Sequence, residues 1–118
     1  MTNTMKELKT MCESIREELI TLYEADFTDA EIEEMQEAGE PTSLYDYFND
    51  VLDFEYTINR DRTYKAVKIW VTLGGPNVCI DTNYHEIRGF WGTDQESVWL
   101  PSEIANEIDY IFEELYNC

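Results

Sequence analysis

Apolar and polar residues alternate along this chain at two different periods, and the switches between them outline its elements. Across residues 4–24, Leu8, Met11, Cys12, Ile15, Leu19, Leu22 and Tyr23 recur at steps of three and four. Glu7, Glu13, Glu17, Glu18 and the bases Lys6, Lys9 and Arg16 fill the remaining positions. That spacing collects the apolar set on one stripe of an α-helix. Thr28 followed by Glu31 is a capping box that opens a second helix, and Gly39 is placed to close it. This helix has only Ile32 and Met35 as an apolar edge, so it reads as loosely held. Pro41 separates it from a third, short helix capped by Ser43. There Leu44, Tyr47, Phe48, Val51 and Leu52 face inward, and Asp46, Asn49, Asp50 and Asp53 face outward.

The period then drops to two. Phe54, Tyr56 and Ile58 alternate with Glu55 and Thr57, and the polar run Asn59-Arg60-Asp61-Arg62 turns the chain into a strand that ends at Leu73. Val67, Ile69, Val71 and Leu73 alternate with Ala66, Lys68, Trp70 and Thr72. After Gly74-Gly75-Pro76-Asn77, Val78, Ile80 and Thr82 alternate with Cys79 and Asp81. Two such runs around a Gly/Pro/Asn cluster predict a β-hairpin, because the glycines reach positive φ freely and Pro76 presets a turn φ. A third run, Ile87, Gly89 and Trp91 against Arg88 and Phe90, follows the link 83–86. Gly92-Thr93-Asp94-Gln95 reads as a loop, and Val98-Trp99-Leu100 as a short edge strand stopped by Pro101. Ser102 starts a last helix, with Ile104, Ile108, Ile111, Phe112 and Leu115 inward and Glu103, Glu107, Asp109, Glu113 and Glu114 outward. The expected architecture is α+β: an antiparallel meander of three to five strands with helices before and after it. Its parts are an acidic helical part at 1–53, the sheet at 54–100 and the C-terminal helix at 101–118, in one domain.

The two sheet faces differ in kind. Tyr56, Ile58, Val67, Ile69, Val71, Val78 and Ile80 form a core face whose expected cover is the C-terminal helix. The other face mixes Trp70, Cys79 and Phe90 with Lys68, Asp81 and Arg88. It is either covered by the N-terminal helices or left open as an aromatic patch for a protein partner, since Trp, Tyr and Arg dominate interface hot spots.

Charge changes the picture most. The chain carries 26 acidic and 8 basic residues, for a net charge of −18. Residues 1–58 account for −13, 59–92 for +2 and 93–118 for −7. A net charge of roughly 2 to 8 keeps a small domain soluble, so the excess on the helices calls for another reason. It disfavours direct binding of nucleic-acid backbones or anionic membranes, which needs Lys and Arg. A basic protein surface is the natural partner. With 43% hydrophobic and 14% aromatic residues, a disordered acidic tail is excluded. Three widely spaced cysteines, no apolar leader and no membrane-length apolar run point to a reduced, cytoplasmic protein.

Catalytic and cofactor motifs are missing. His85 is the single histidine and has no His or Cys partner at metal-ligand spacing. The Gly74-Gly75 turn lacks the phosphate-loop pattern, and residues 26–37 lack the calcium-loop spacing. The expectation is therefore a non-enzyme without metal or cofactor. An enzyme or ligand-binding module would need a deep pocket near His85 or Trp99.

What remains is the acidic surface. Carboxylates on successive helical turns can stand in for a row of phosphates and be drawn into a cationic groove. The preferred partner-binding rows are Glu31, Glu33, Glu34 and Glu37, followed by Asp46, Asp50 and Asp53. Glu103, Glu107 and Glu114 of the last helix come second. The segment IWVTLGGPNVCIDT at 69–82, with Gly89-Phe90-Trp91-Gly92 and the Ile- and Glu-rich terminal helix, resembles small acidic proteins of phages and mobile elements of Gram-positive bacteria. Among these are anti-CRISPR inhibitors of the RNA-guided nuclease Cas9. The likeness covers residues 69–116 and leaves the N-terminal helices without a counterpart. It implies an inhibitor, acting in the cytoplasm of a bacterial host cell, that blocks guide or target engagement by Cas9, whose nucleic acids lie in positively charged channels. The alternative is an immunity protein, or other protein-binding module, that neutralises a basic toxin or restriction enzyme.

Overall fold

The computed structural model describes residues 2–49, 51 and 53–118. Four helices and five strands follow in the order α1 (Asn3–Glu24), α2 (Asp29–Glu37), α3 (Leu44–Asn49), β1 (Asp53–Ile58), β2 (Tyr64–Thr72), β3 (Asn77–Asp81), β4 (Glu86–Trp91), β5 (Asp94–Trp99) and α4 (Ser102–Tyr116). The strands form one antiparallel meander in sequence order, so β1 and β5 are its edges. This is the expected α+β architecture.

Local chemistry sets the element ends. The Thr2 side chain accepts from the Met5 amide and caps α1. The Thr28 hydroxyl accepts from the Glu31 amide while the Glu31 carboxylate accepts from the Thr28 amide, completing the box at α2. Past Ala38, Gly39 sits at φ 74, where a side chain is strained, and the Glu40 amide reaches back to the Met35 carbonyl at 2.9 Å. Ser43 Oγ accepts from the Asp46 amide at the start of α3. In the β2–β3 turn, Gly74 and Gly75 take φ 100 and 109, and the Asn77 side chain accepts from the Gly74 amide at 2.8 Å.

Cross-strand register defines the core. Phe54, Ile69, Ile80, Ile87 and Val98 pair in one row across all five strands. Ile69, Ile80 and Ile87 are fully buried, and each such side chain stabilises the fold by about 1.5–3 kcal/mol. Phe112 of α4 closes over this row, its ring edge-on to Phe48 at 5.6 Å and to Phe54 at 5.2 Å. The Tyr64 hydroxyl donates to Asp109 at 2.6 Å and ties α4 to β2.

The first helix lies on this same face. A Cβ placed on Gly89 would meet Leu8 Cδ2 at 3.0 Å and Cys12 Sγ at 3.2 Å, so the missing side chain lets α1 approach β4 closely. Gly89 follows Ile87 by two residues and shares its face. The expectation that the N-terminal helices cover the Trp70 face is therefore corrected: α1 and α4 share one layer, and among the described residues no helix packs on the other side. Three smaller corrections follow. The polar residues Asp94 to Ser97 belong to β5, paired through Trp91 to Asp94 across a two-residue turn in which Gly92 has φ 62. Ile58 is 46% exposed at the end of β1, where a bulge after Thr57 shifts its pairing to Tyr64. Leu115 and Tyr23, assigned to buried stripes, are exposed at the ends of their helices, while Asp109, assigned outward, is held by Tyr64. Ser102 is the first residue of α4, as expected, with Pro101 at the cap. Leu52, assigned to the core, lies outside the described residues.

Candidate functional site

The helical layer carries the charge. α2, α3 and α4 contain no lysine or arginine at all, and no base lies in the last turn of any helix. Carboxylates near a helix C-terminus oppose the macrodipole by about 0.3–1 kcal/mol each, and α4 carries Glu113 and Glu114 there. Two of the chain's cations have polar partners among the described residues. Arg88 pairs with Asp81 and lies 3.6 Å from Glu86, on the sheet face away from the helices. Arg16 donates to the Trp99 carbonyl at 3.4 Å.

The expected partner-binding residues divide into three groups. Glu33, Glu34 and Glu37 are exposed on α2 and free of side-chain hydrogen bonds among the described residues, whereas Glu31 is engaged in the capping box. The second row does not form. Asp46 accepts from the Thr42 amide and hydroxyl, at 3.3 and 2.7 Å, and is spent on the start of α3. Asp53 is on β1, paired with Trp70 on the face turned away from the helices. Asp50 lies outside the described residues. Glu103, Glu107 and Glu114 are exposed on α4.

The structure adds neighbours that the sequence did not reveal. Glu107 and Glu114 border a cleft of about 550 Å³ between α1, α3 and α4, together with Tyr23, Tyr45 and Tyr110. Leu22, Leu44 and Ile111 make its floor. The tyrosines are 43%, 67% and 62% exposed. Glu114, as hydrogen-bond partner, pushes the Tyr110 phenol pKa up. Tyr110 stands three residues after Glu107 and four before Glu114, so all three share one side of α4. That i,i+3/i,i+4 spacing was the available signal, hidden because the tyrosines read as ordinary stripe or surface residues.

The other sheet face carries Trp70 and Phe90, both half-buried, with ring centroids 6.2 Å apart. Cys79, flanked in register by Trp70 and Arg88, is fully buried even though among the described residues no helix covers that face. The Arg88 guanidinium lies 5.8 Å over the Tyr84 ring. Asp81 accepts from the Asn83 and Tyr84 amides as well as from Arg88, so its carboxylate is satisfied within the cluster, whereas Arg88 Nε is buried without a hydrogen-bond partner among the described residues.

Reactive chemistry has little support. Burial pushes the Cys12 thiol up to about 11 and also raises Cys79, which keeps both thiols protonated and weakly nucleophilic. His85 Nδ1 is 3.4 Å from Ser102 Oγ, and its carbonyl accepts from the Leu100 amide at 2.8 Å, so it braces the entry to α4. Five clefts of about 340–550 Å³ are lined by helical and connecting residues and, in one, by Phe54 of β1, and neither His85 nor Trp99 borders these five. Among the described residues, no three His, Cys, Asp or Glu side chains gather to hold a metal ion, and no helix is long and apolar enough to cross a membrane. Comparison with protein-family models, with curated proteins and with solved structures finds no match.

Proposed function

We propose that this protein is an acidic inhibitor of a nuclease that holds nucleic acid in a positively charged channel, with Cas9 the favoured target, acting in the cytoplasm of a bacterial host. The reading rests on one observation: three of the four helices contain no base, and α1 and α4 lie on the same side of the sheet. The helices together hold 16 acids and 3 bases, −13 of the net charge of −18, and a decoy for a phosphate backbone needs such a concentration. Glu33, Glu34 and Glu37 supply long-range attraction, and Glu103, Glu107 and Glu114 supply carboxylates on a firmly packed helix. Electrostatic steering of this type raises association rates and weakens steeply with salt. Cas9 is favoured among such nucleases because residues 69–116 resemble small acidic proteins of phages and mobile elements, some of which are anti-CRISPR inhibitors.

The test is cleavage by guide-loaded Cas9, by guide-free Cas9 loaded after mixing, and by a basic toxin nuclease, each with added protein at low and physiological ionic strength. Inhibition of Cas9 that fades with salt, and that is lost when Glu33, Glu34, Glu37, Glu103 and Glu107 are changed together to Gln, is expected. Inhibition of the toxin nuclease alone would reassign the protein as an immunity protein. Inhibition untouched by salt or by the Gln substitutions would remove the charge-decoy reading.

A further inference from the structure

We infer that the cleft between α1, α3 and α4 is an anchoring site for arginine side chains of a protein partner. The inference deepens the preceding reading, because it rests on the helical layer being the side that meets the partner.

Three features converge there. Tyr23, Tyr45 and Tyr110 present their rings to solvent around one concavity. Exposed large aromatics gathered in one concave place are the composition of an interface core rather than of a solvated rim. The floor of Leu22, Leu44 and Ile111 is apolar, so a group entering the cleft loses water. Glu107 and Glu114 stand on either side of Tyr110, and no lysine or arginine lines the cleft. Two exposed carboxylates beside tyrosine rings over an aliphatic floor, with no cation among the lining residues, are complementary to a cation carried by a partner.

The geometry selects arginine over lysine. A guanidinium is planar and stacks on a tyrosine ring while donating in its plane to carboxylates on both sides. A lysine ammonium is a more strongly hydrated point charge that gives up more on leaving water. A volume of about 550 Å³ lies within the range of ordinary ligand pockets, enough for a few side chains from one segment. The exposed row on α2 has no such means of discrimination, because that helix buries none of its residues. It attracts any cation equally.

The intact protein is titrated with hexa-arginine and with hexa-lysine peptides at physiological ionic strength, with affinity measured by calorimetry and ring contacts by NMR of the tyrosines. Hexa-arginine is expected to bind about tenfold tighter than hexa-lysine and to shift the Tyr45 and Tyr110 ring signals. Tyr45→Ala with Tyr110→Ala should erase that preference, while Tyr45→Phe with Tyr110→Phe should keep it, since the ring face is retained. Both side chains are more than half exposed, and far-UV circular dichroism checks that the variants remain folded. Changing Glu33, Glu34 and Glu37 to Gln should weaken both peptides alike. Equal affinity for the two peptides, or a preference that survives the alanine pair, overturns the proposal. An arginine preference in a protein that inhibits no basic nuclease would keep the anchoring site and discard the nuclease, and inhibition without the preference would do the reverse.

Discussion

Helices α2 and α4 wear similar charge and are held by opposite means. α4 buries Ile104, Ala105, Ile108 and Phe112 and is tied to the sheet through Asp109, whereas α2 buries no residue and rests on the half-buried Ile32 and Met35. A carboxylate on α4 is therefore fixed in place by the core beneath it. One on α2 is positioned by little beyond the capping box and the Gly39 stop. Acidity costs both helices alike, through repulsion and the macrodipole, but only α4 has apolar burial to offset it. For the proposed partner, α4 offers carboxylates held in fixed positions and α2 offers loosely held ones.

Three changes would break or sharpen that contrast. Phe112→Ala removes the ring that joins α3, α4 and β1 and should cost about 3–5 kcal/mol in chemical denaturation. A loss under 1 kcal/mol would mean that α4 is no better anchored than α2. Tyr64→Phe removes the bond to Asp109 and should cost about 1.5–3 kcal/mol at neutral pH, as expected for a hydrogen bond to a charged group. Burial first, and Asp109 second, raise the Tyr64 pKa in the folded state. Its contribution is therefore complete below the unfolded tyrosine value of ~10 and erodes as pH climbs past it. The gap between wild type and variant should narrow in alkaline denaturation curves. Thr28→Ala is expected to have the smallest effect, about 1 kcal/mol. It should appear as faster amide exchange confined to α2 with little movement of the global transition, since nothing in the core depends on that helix.

Much of this arrangement is legible in the residues. The Thr28/Glu31 box, the Gly39 stop and the Gly74-Gly75 turn are local chemistry, and each is found where its spacing places it. The row Phe54, Ile69, Ile80, Ile87 and Val98 follows from strict alternation once the meander is assumed. The edge strand at Val98 and Trp99 is legible. Its first four residues escaped because Asp94 to Ser97 are all polar, and only their pairing to β4 makes them part of β5. The side chosen by α1 escaped because both sheet faces carry apolar residues. Gly89 decides it, and a glycine inside a strand was the available sign of close approach. The tyrosine cleft depends on three separate segments meeting, which no single-segment pattern encodes.

The molecule is a flat body, with principal extents of 44 × 41 × 24 Å, and its charge is concentrated on the helical side. A cationic neighbour would therefore exert a turning moment on it well before touching, so it would arrive helices first. In any complex formed that way the broad β-surface would trail in water. Trp70 and Trp99 lie on that trailing side, so their fluorescence would stay nearly silent during docking, and a second binder could be raised against them without competing.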